Sequence, residues 1–155
     1  MSFFSSCTKD PEKLIVGKWK VVSAICNDPG YYDDDFIEAF VYDKGEIWTF
    51  QEDGSFKGYM NALPYLYGTN SQISSDIKCK YIFNDNTIKL RDGNLNGTFF
   101  DYDYSFKYSF VFTFDVDEIS NKDLSMTGKL MITETDDEPE TYYVTRIKYI
   151  LEKKQ

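Results

Sequence analysis

Between Tyr102 and Val116, every second residue is large and apolar or aromatic: Tyr102, Tyr104, Phe106, Tyr108, Phe110, Phe112, Phe114 and Val116. The residues between them are Asp103, Ser105, Lys107, Ser109, Val111, Thr113 and Asp115. A β-strand sends alternate side chains to opposite faces, so this period of two describes a strand with one face of rings and one mostly polar face. The rings require cover. At about 3.3 Å per residue such a run would span nearly ~50 Å, far beyond a usual strand, so it is expected to bend, bulge or project. Phe106 to Phe114 are expected in the wall of the fold, with Tyr102 and Tyr104 at a rim or in a hairpin extension.

The remainder of the chain supplies partners for that strand. With 155 residues it fits one domain that can bury a core without metals or disulfides. Aromatics make up 18% of it, which favours strands over helices. The formal charge of −9 opposes attraction to phosphate backbones or anionic lipid, so nucleic acid is not an expected partner. No run reaches the length of an apolar membrane span, and any membrane attachment is expected through an anchor. The three cysteines, Cys7, Cys26 and Cys79, form no CxxC pair, and histidine is absent, which excludes a soft-ligand metal site. If Trp19 points inward, simple alternation turns Cys26 outward, while Cys79 shares the face of Ile77, Tyr81 and Phe83. Opposite faces argue against a disulfide between them.

Taken in order, residues 1–13 carry no periodicity and are expected to be a signal remnant or tether without fixed structure, followed by a single domain over 14–155. Gly17 and Trp19 open the first strand. After the turn signal Asp28-Pro29-Gly30, the spacing of Phe36, Ile37, Phe40 and Val41, with Asp35 and Glu38 as a capping box, predicts a short helix. The acidic run Asp33 to Asp35 lacks the alternating ligands of a calcium loop and reads better as part of that cap. Strand two, Glu46 to Gln51, and strand three, with Phe56, Gly58 and Met60, flank the turn Glu52-Asp53-Gly54. Asn61 to Ser75 reads as a long surface loop. Ile77 to Phe83 and Thr87 to Arg91 form a hairpin about Asn84-Asp85-Asn86, which Arg91-Asp92-Gly93 ends. The aromatic ladder follows, then Leu124 to Ile132, an acidic loop from Thr133 to Glu140, and a last strand through Tyr143, Ile147, Tyr149 and Leu151.

Eight strands joined mostly by short antiparallel turns resolve their edge problem by closing into an up-and-down β-barrel. The fold class is therefore all-β, an eight-stranded antiparallel barrel with a short helix between strands 1 and 2. Gly17-x-Trp19, the helical segment before the first hairpin, Trp48-x-Phe50 followed by Glu52-Asp53-Gly54-x-Phe56, and the final Tyr149-Ile150-Leu151-Glu152-Lys153 resemble the lipocalin-like proteins of the calycin superfamily, bacterial lipoproteins among them. The resemblance runs from Leu14 to Lys153. It implies that Trp19 plugs the closed end of the barrel beside a basic residue of the last strand, with Arg146, Lys148 and Lys153 as candidates. Such a cation on an indole face contributes about 0.5 to 2 kcal/mol. Small residues, then Cys7, then a short charged spacer are similar to the lipid-attachment site of bacterial lipoproteins. That likeness implies lipidation at Cys7 and an exported protein of the periplasm, outer membrane or cell surface. A disordered terminus with an incidental thiol is the other reading of the same residues.

Binding requires a concave, mostly apolar pocket with a few polar anchors. The residues expected to line one are Trp48, Phe50, Phe56, Tyr81, Phe83, Tyr104, Phe106 and Tyr108, facing a small hydrophobic or amphipathic ligand; no cofactor is expected. Catalysis is not expected: without histidine, neither Cys79 nor a serine has an ordinary base, and the acid pairs Asp101 with Asp103 and Asp115 with Asp117 fall toward solvent. The same rings could instead fill the barrel, leaving a surface module that contacts a protein or glycan through Tyr31, Tyr32, Tyr65 and Tyr67.

Overall fold

The computed structural model describes residues 10–26, 45–62, 71–99, 102–134 and 141–155. Within them, 25–26, 60–62, 71–76, 94–99, 102–108, 130–134 and 141–146 are described as backbone. A single helical turn, α1 (Pro11–Leu14), precedes the strands β1 (Gly17–Cys26), β2 (Ile47–Phe50), β3 (Ser55–Ala62) and β4 (Ser71–Asn84). They are followed by β5 (Thr87–Phe99), β6 (Tyr102–Ile119), β7 (Asp123–Glu134) and β8 (Thr141–Lys153). The eight strands form one closed barrel in which every sequential pair is antiparallel and β8 returns to β1. The all-β up-and-down barrel read from alternation is the observed fold. The helix expected between strands 1 and 2 lies outside the described residues. Among the described residues, no helix is long and apolar enough to cross a membrane.

α1 spans the boundary placed at residue 13. Its basis is local: the Asp10 carboxylate accepts from the Glu12 N–H, and Pro11 opens the turn with a preset φ and no amide to satisfy. The turn lies at the barrel end that also carries the β2–β3, β4–β5 and β6–β7 turns and Lys153.

Three stretches differ from the reading by alternation, two of them through a bulge. In β1 the pairing with β8 shifts between Val21 and Ser23, so the buried positions run Trp19, Val21, then Ala24. The parity of simple alternation therefore reverses between Val21 and Ala24, because an extra residue in one strand exchanges its faces, while the Cys26 side chain lies outside the described residues. Arg91-Asp92-Gly93 does not end β5. It is a bulge between Leu90 and Gly93 with Asp92 at φ +61°, after which the strand runs on to Phe99. Both flanks of the expected loop from Asn61 to Ser75 are ladder, with Ala62 paired to Ile73 and β4 starting at Ser71; residues 63–70 lie outside the described residues. The polar residues there hid the strand, since a ladder rests on backbone hydrogen bonds and not on apolar alternation.

The aromatic ladder became the longest strand, β6, of 18 residues. It pairs with β5 from Tyr102 to Asp115 but with β7 only from Tyr108 onward, so its first turns extend past the β7 ladder as the outer arm of the β5–β6 hairpin. Within the ladder, Phe99 pairs with Tyr102 but Thr98 with Ser105, and this shift supplies the expected irregularity; a further one follows between Val116 and Glu118. Phe110, Phe112 and Phe114 point into the core.

Candidate functional site

The end of the barrel that carries α1 is sealed by Ile15 and Trp19 from the start of the domain and Lys153 from the last strand. Trp19 faces inward on β1 and is fully buried, and its indole Nε1–H donates to the Ile15 carbonyl at 2.7 Å. Ile15, the C-cap of α1, is itself buried. Lys153, register partner of Trp19, holds its Nζ 4.9 Å from the indole centroid and donates to the carbonyls of Leu14 at 2.7 Å and Val16 at 2.8 Å. Of the three basic candidates, Lys153 thus occupies the place beside Trp19. Lys148 is exposed on the outer face, and the Arg146 side chain lies outside the described residues.

Above this floor the rings pack on one another. Trp48, Phe50 and Phe56 are fully buried and Phe83 is 8% exposed. The Trp48 ring centroid is 4.7 Å from Tyr149, 5.6 Å from Phe56 in an edge contact, and 5.9 Å from Phe114. Phe112 and Phe114 stack at 4.1 Å, directly against Gly128, where a Cβ would come within 2.6 Å of the Phe114 ring. A glycine is required there because two rings occupy the volume of its side chain. Trp48 also satisfies its polar atom, donating from Nε1 to the Tyr59 carbonyl at 3.1 Å. That bond bridges to β3 beyond the two register pairs, Thr49 with Lys57 and Phe50 with Phe56, that tie β2 to it.

Tyr81 is half-buried, its ring edge-on to Phe50 at 5.1 Å. Its hydroxyl donates to the Gln51 carbonyl at 2.8 Å, and its amide donates to the Gly54 carbonyl, so the residue ties β4 to the β2–β3 turn. Burial raises its phenol pKa, aided by the negative charges of Asp53 and Glu52. Asp53 accepts from both the N–H and the hydroxyl of Ser55, which lowers its own pKa. Cys79 is a buried free thiol, pushed up to about 12 by burial.

Five of the eight residues expected to line a pocket are therefore brought together at one end of the barrel. Trp48, Phe50, Phe56 and Phe83 are packed into its core, and Tyr81 spends its hydroxyl on a turn carbonyl. Tyr104, Phe106 and Tyr108 belong to the first half of β6, opposite β5; their side chains, like Cys7, lie outside the described residues. Asp115 and Asp117 are exposed, and Asp117 accepts from the Thr127 hydroxyl at 3.3 Å. Among the described residues, no group of His, Cys, Asp and Glu could hold a metal ion. Sequence reasoning missed α1 and with it Ile15, although Asp10-Pro11-Glu12 is a helix-start signal. Tyr149, at the centre of the ring cluster, was placed only as a strand residue.

No protein-family model, curated protein or solved structure matches this chain.

Proposed function

We propose that this chain is an exported, lipocalin-like barrel that binds a small hydrophobic or amphipathic ligand at the end remote from Trp19 and catalyses no reaction. The observation that carries the reading is a closed eight-stranded wall standing on a sealed floor. Its strands β4, β6 and β8 run to 14, 18 and 13 residues, so the closed wall extends well away from the floor that Trp19 and Lys153 make. A closed antiparallel wall above a solid floor is the form of a container for one small molecule. The order of Gly17-x-Trp19, the Glu52-Asp53-Gly54 hairpin and the final strand supports a lipocalin-like family, as does the Lys153 cation on Trp19. Tyr104, Phe106 and Tyr108 sit in sequence where that wall continues, and they are the residues proposed to meet the ligand. The likeness of the residues about Cys7 to a lipid-attachment site supports export and anchoring through Cys7.

A second reading, a filled barrel that acts through its surface, is favoured by the dense packing about Trp48, Phe50 and Phe56. Native mass spectrometry of the purified chain, combined with melting shifts against fatty acids, sterols and bile-acid-like compounds, separates the two. A co-purifying mass or a saturable shift is expected. The container reading fails if neither is found across that panel.

A further inference from the structure

The acidic balance of the whole chain conceals a basic face. On the outside of three neighbouring strands, Lys57 of β3 stands directly opposite Lys78 of β4, and Lys80 of β4 directly opposite Arg91 of β5. Lys78 and Lys80 are two apart on one strand face, as are Lys89 and Arg91, and all five side chains are exposed. The cations therefore form one unbroken path, Lys57 to Lys78 to Lys80 to Arg91 to Lys89. Each step joins cross-strand neighbours about 5 Å apart or i,i+2 neighbours about 7 Å apart at the backbone. Like charges directly opposite one another destabilise a sheet, yet this face carries two such pairs. None of the four lysines lies within ion-pairing distance of a carboxylate among the described residues; Arg91 Nε lies 3.6 Å from Asp92.

The path ends at a concavity. The β5 bulge opens a surface depression of about 380 Å³ lined by Lys89, Arg91, Asp92 and Gly93, with Ser109, Phe110 and Val111 on its β6 side; the one carboxylate in it, Asp92, faces Arg91 at 3.6 Å, which leaves Lys89 as its unpaired cation among the described residues. That volume falls at the low end of the range of small-molecule sites. The chemistry of the face selects among anionic partners. Ile82, 43% exposed, is the one large hydrophobic exposed on these three strands among the described residues, and no described aromatic is exposed there. The face therefore lacks the anchors of a protein interface core, the wedge of a membrane-inserting surface and the stacking platform of a single-strand binder. The net charge of −9 opposes the dense charge of duplex nucleic acid. A hydrophilic polyanion of moderate charge density satisfies all of these constraints.

We propose that the outer face of β3, β4 and β5 binds a linear acidic polysaccharide, its uronate carboxylates following the cationic path and one sugar seated in the depression at the β5 bulge. This site uses the exterior alone and stands whether or not the interior holds a ligand. The test is calorimetric titration of the full chain with a defined oligogalacturonate at low and high salt, beside the Lys78→Glu/Lys80→Glu variant. Expected are saturable binding that weakens with salt, at least about tenfold weaker binding by the variant, and no binding of a neutral oligosaccharide of equal length. The variant should melt at the same temperature or higher, since both like-charge pairs become opposite-charge pairs. No binding at low salt, or equal binding by the variant, overturns the proposal. So does equal or tighter binding of polyglutamate, duplex DNA or phosphatidylglycerol vesicles, each of which assigns the face to a different class of partner.

Discussion

The ammonium of Lys153 lies over the ring of Trp19 while it closes the carbonyls of Leu14 and Val16, so one cation joins the last strand, the first strand and the segment that enters it. Removing the charge leaves both carbonyls without that donor in a half-buried site. Lys153→Met is expected to lower stability by about 2 kcal/mol in urea unfolding, and Lys153→Arg by less, because a guanidinium can still donate and stack.

Gly17 belongs to the same seal. Its φ is +131°, in the region that favours glycine, and a Cβ would lie 2.9 Å from Lys153 Cε. Gly17→Ala combines backbone strain with a displaced lysine and is expected to cost about 2 kcal/mol or more. In a double-mutant cycle with Lys153→Met, part of that cost should disappear, because the displaced group is then a more pliable one.

Gly128 tests the ring stack from the neighbouring strand, where it is the register partner of Phe114. Gly128→Ala inserts a methyl between Phe112 and Phe114 and is expected to destabilise by about 1 to 3 kcal/mol, as overpacked cores do. Pairing it with Phe114→Leu should recover part of the loss. A simple sum of the two single costs would mean that the methyl is accommodated elsewhere.

Cys79 links stability to alkaline pH. Its thiol is held up to about 12 from an ordinary value of 9.0 by burial, so the folded chain keeps a proton that the unfolded chain releases above about pH 9. The unfolded state then binds fewer protons, and stability falls as pH rises between about 9 and 12, by at most about 1.4 kcal/mol per pH unit from this group. Below pH 9 the group contributes no slope. In a Cys7→Ser/Cys26→Ser background, Cys79→Ala should flatten the decline in that window. Cys79 itself should resist thiol reagents at pH 8 until the chain is unfolded.

Tyr81 and the β6 tyrosines should separate in function. Tyr81→Phe removes the hydroxyl that bonds the Gln51 carbonyl and is expected to cost about 1 kcal/mol of stability while leaving ligand affinity unchanged. Tyr104→Ala or Phe106→Ala is expected to weaken binding of whichever compound produces a melting shift. Titration of that compound against each variant checks both halves of the statement.

The barrel was legible because alternation, turn residues and strand count agree on it. Periodicity also identified Trp48, Phe50, Phe56 and Phe83 as inward. It could not say whether an inward ring touches a ligand or another ring, since both demand the same residue at the same parity. Bulges are the other obstacle. Asp92-Gly93 reads as a turn because a left-handed residue beside a glycine serves a hairpin and a bulge equally well. The bulge after Val21 leaves no mark in the sequence at all, yet it puts Ala24 and not Ser23 into the core. Lys153 stood among three candidates until the register placed it opposite Trp19.

Every neighbouring pair of strands in this barrel is a sequential connection except one, β1 with β8, and the contact that seals it joins Lys153 to a carbonyl 139 residues earlier. During synthesis the first seven strands can therefore zip together in order, but the wall cannot shut until the final strand has left the ribosome. Until then β1 and β7 each present an open edge, the state in which sheets pair with the wrong chain. Closure is thus a late, long-range event in folding, and chains cut short within β8 should fail by aggregating rather than by losing a few kcal/mol.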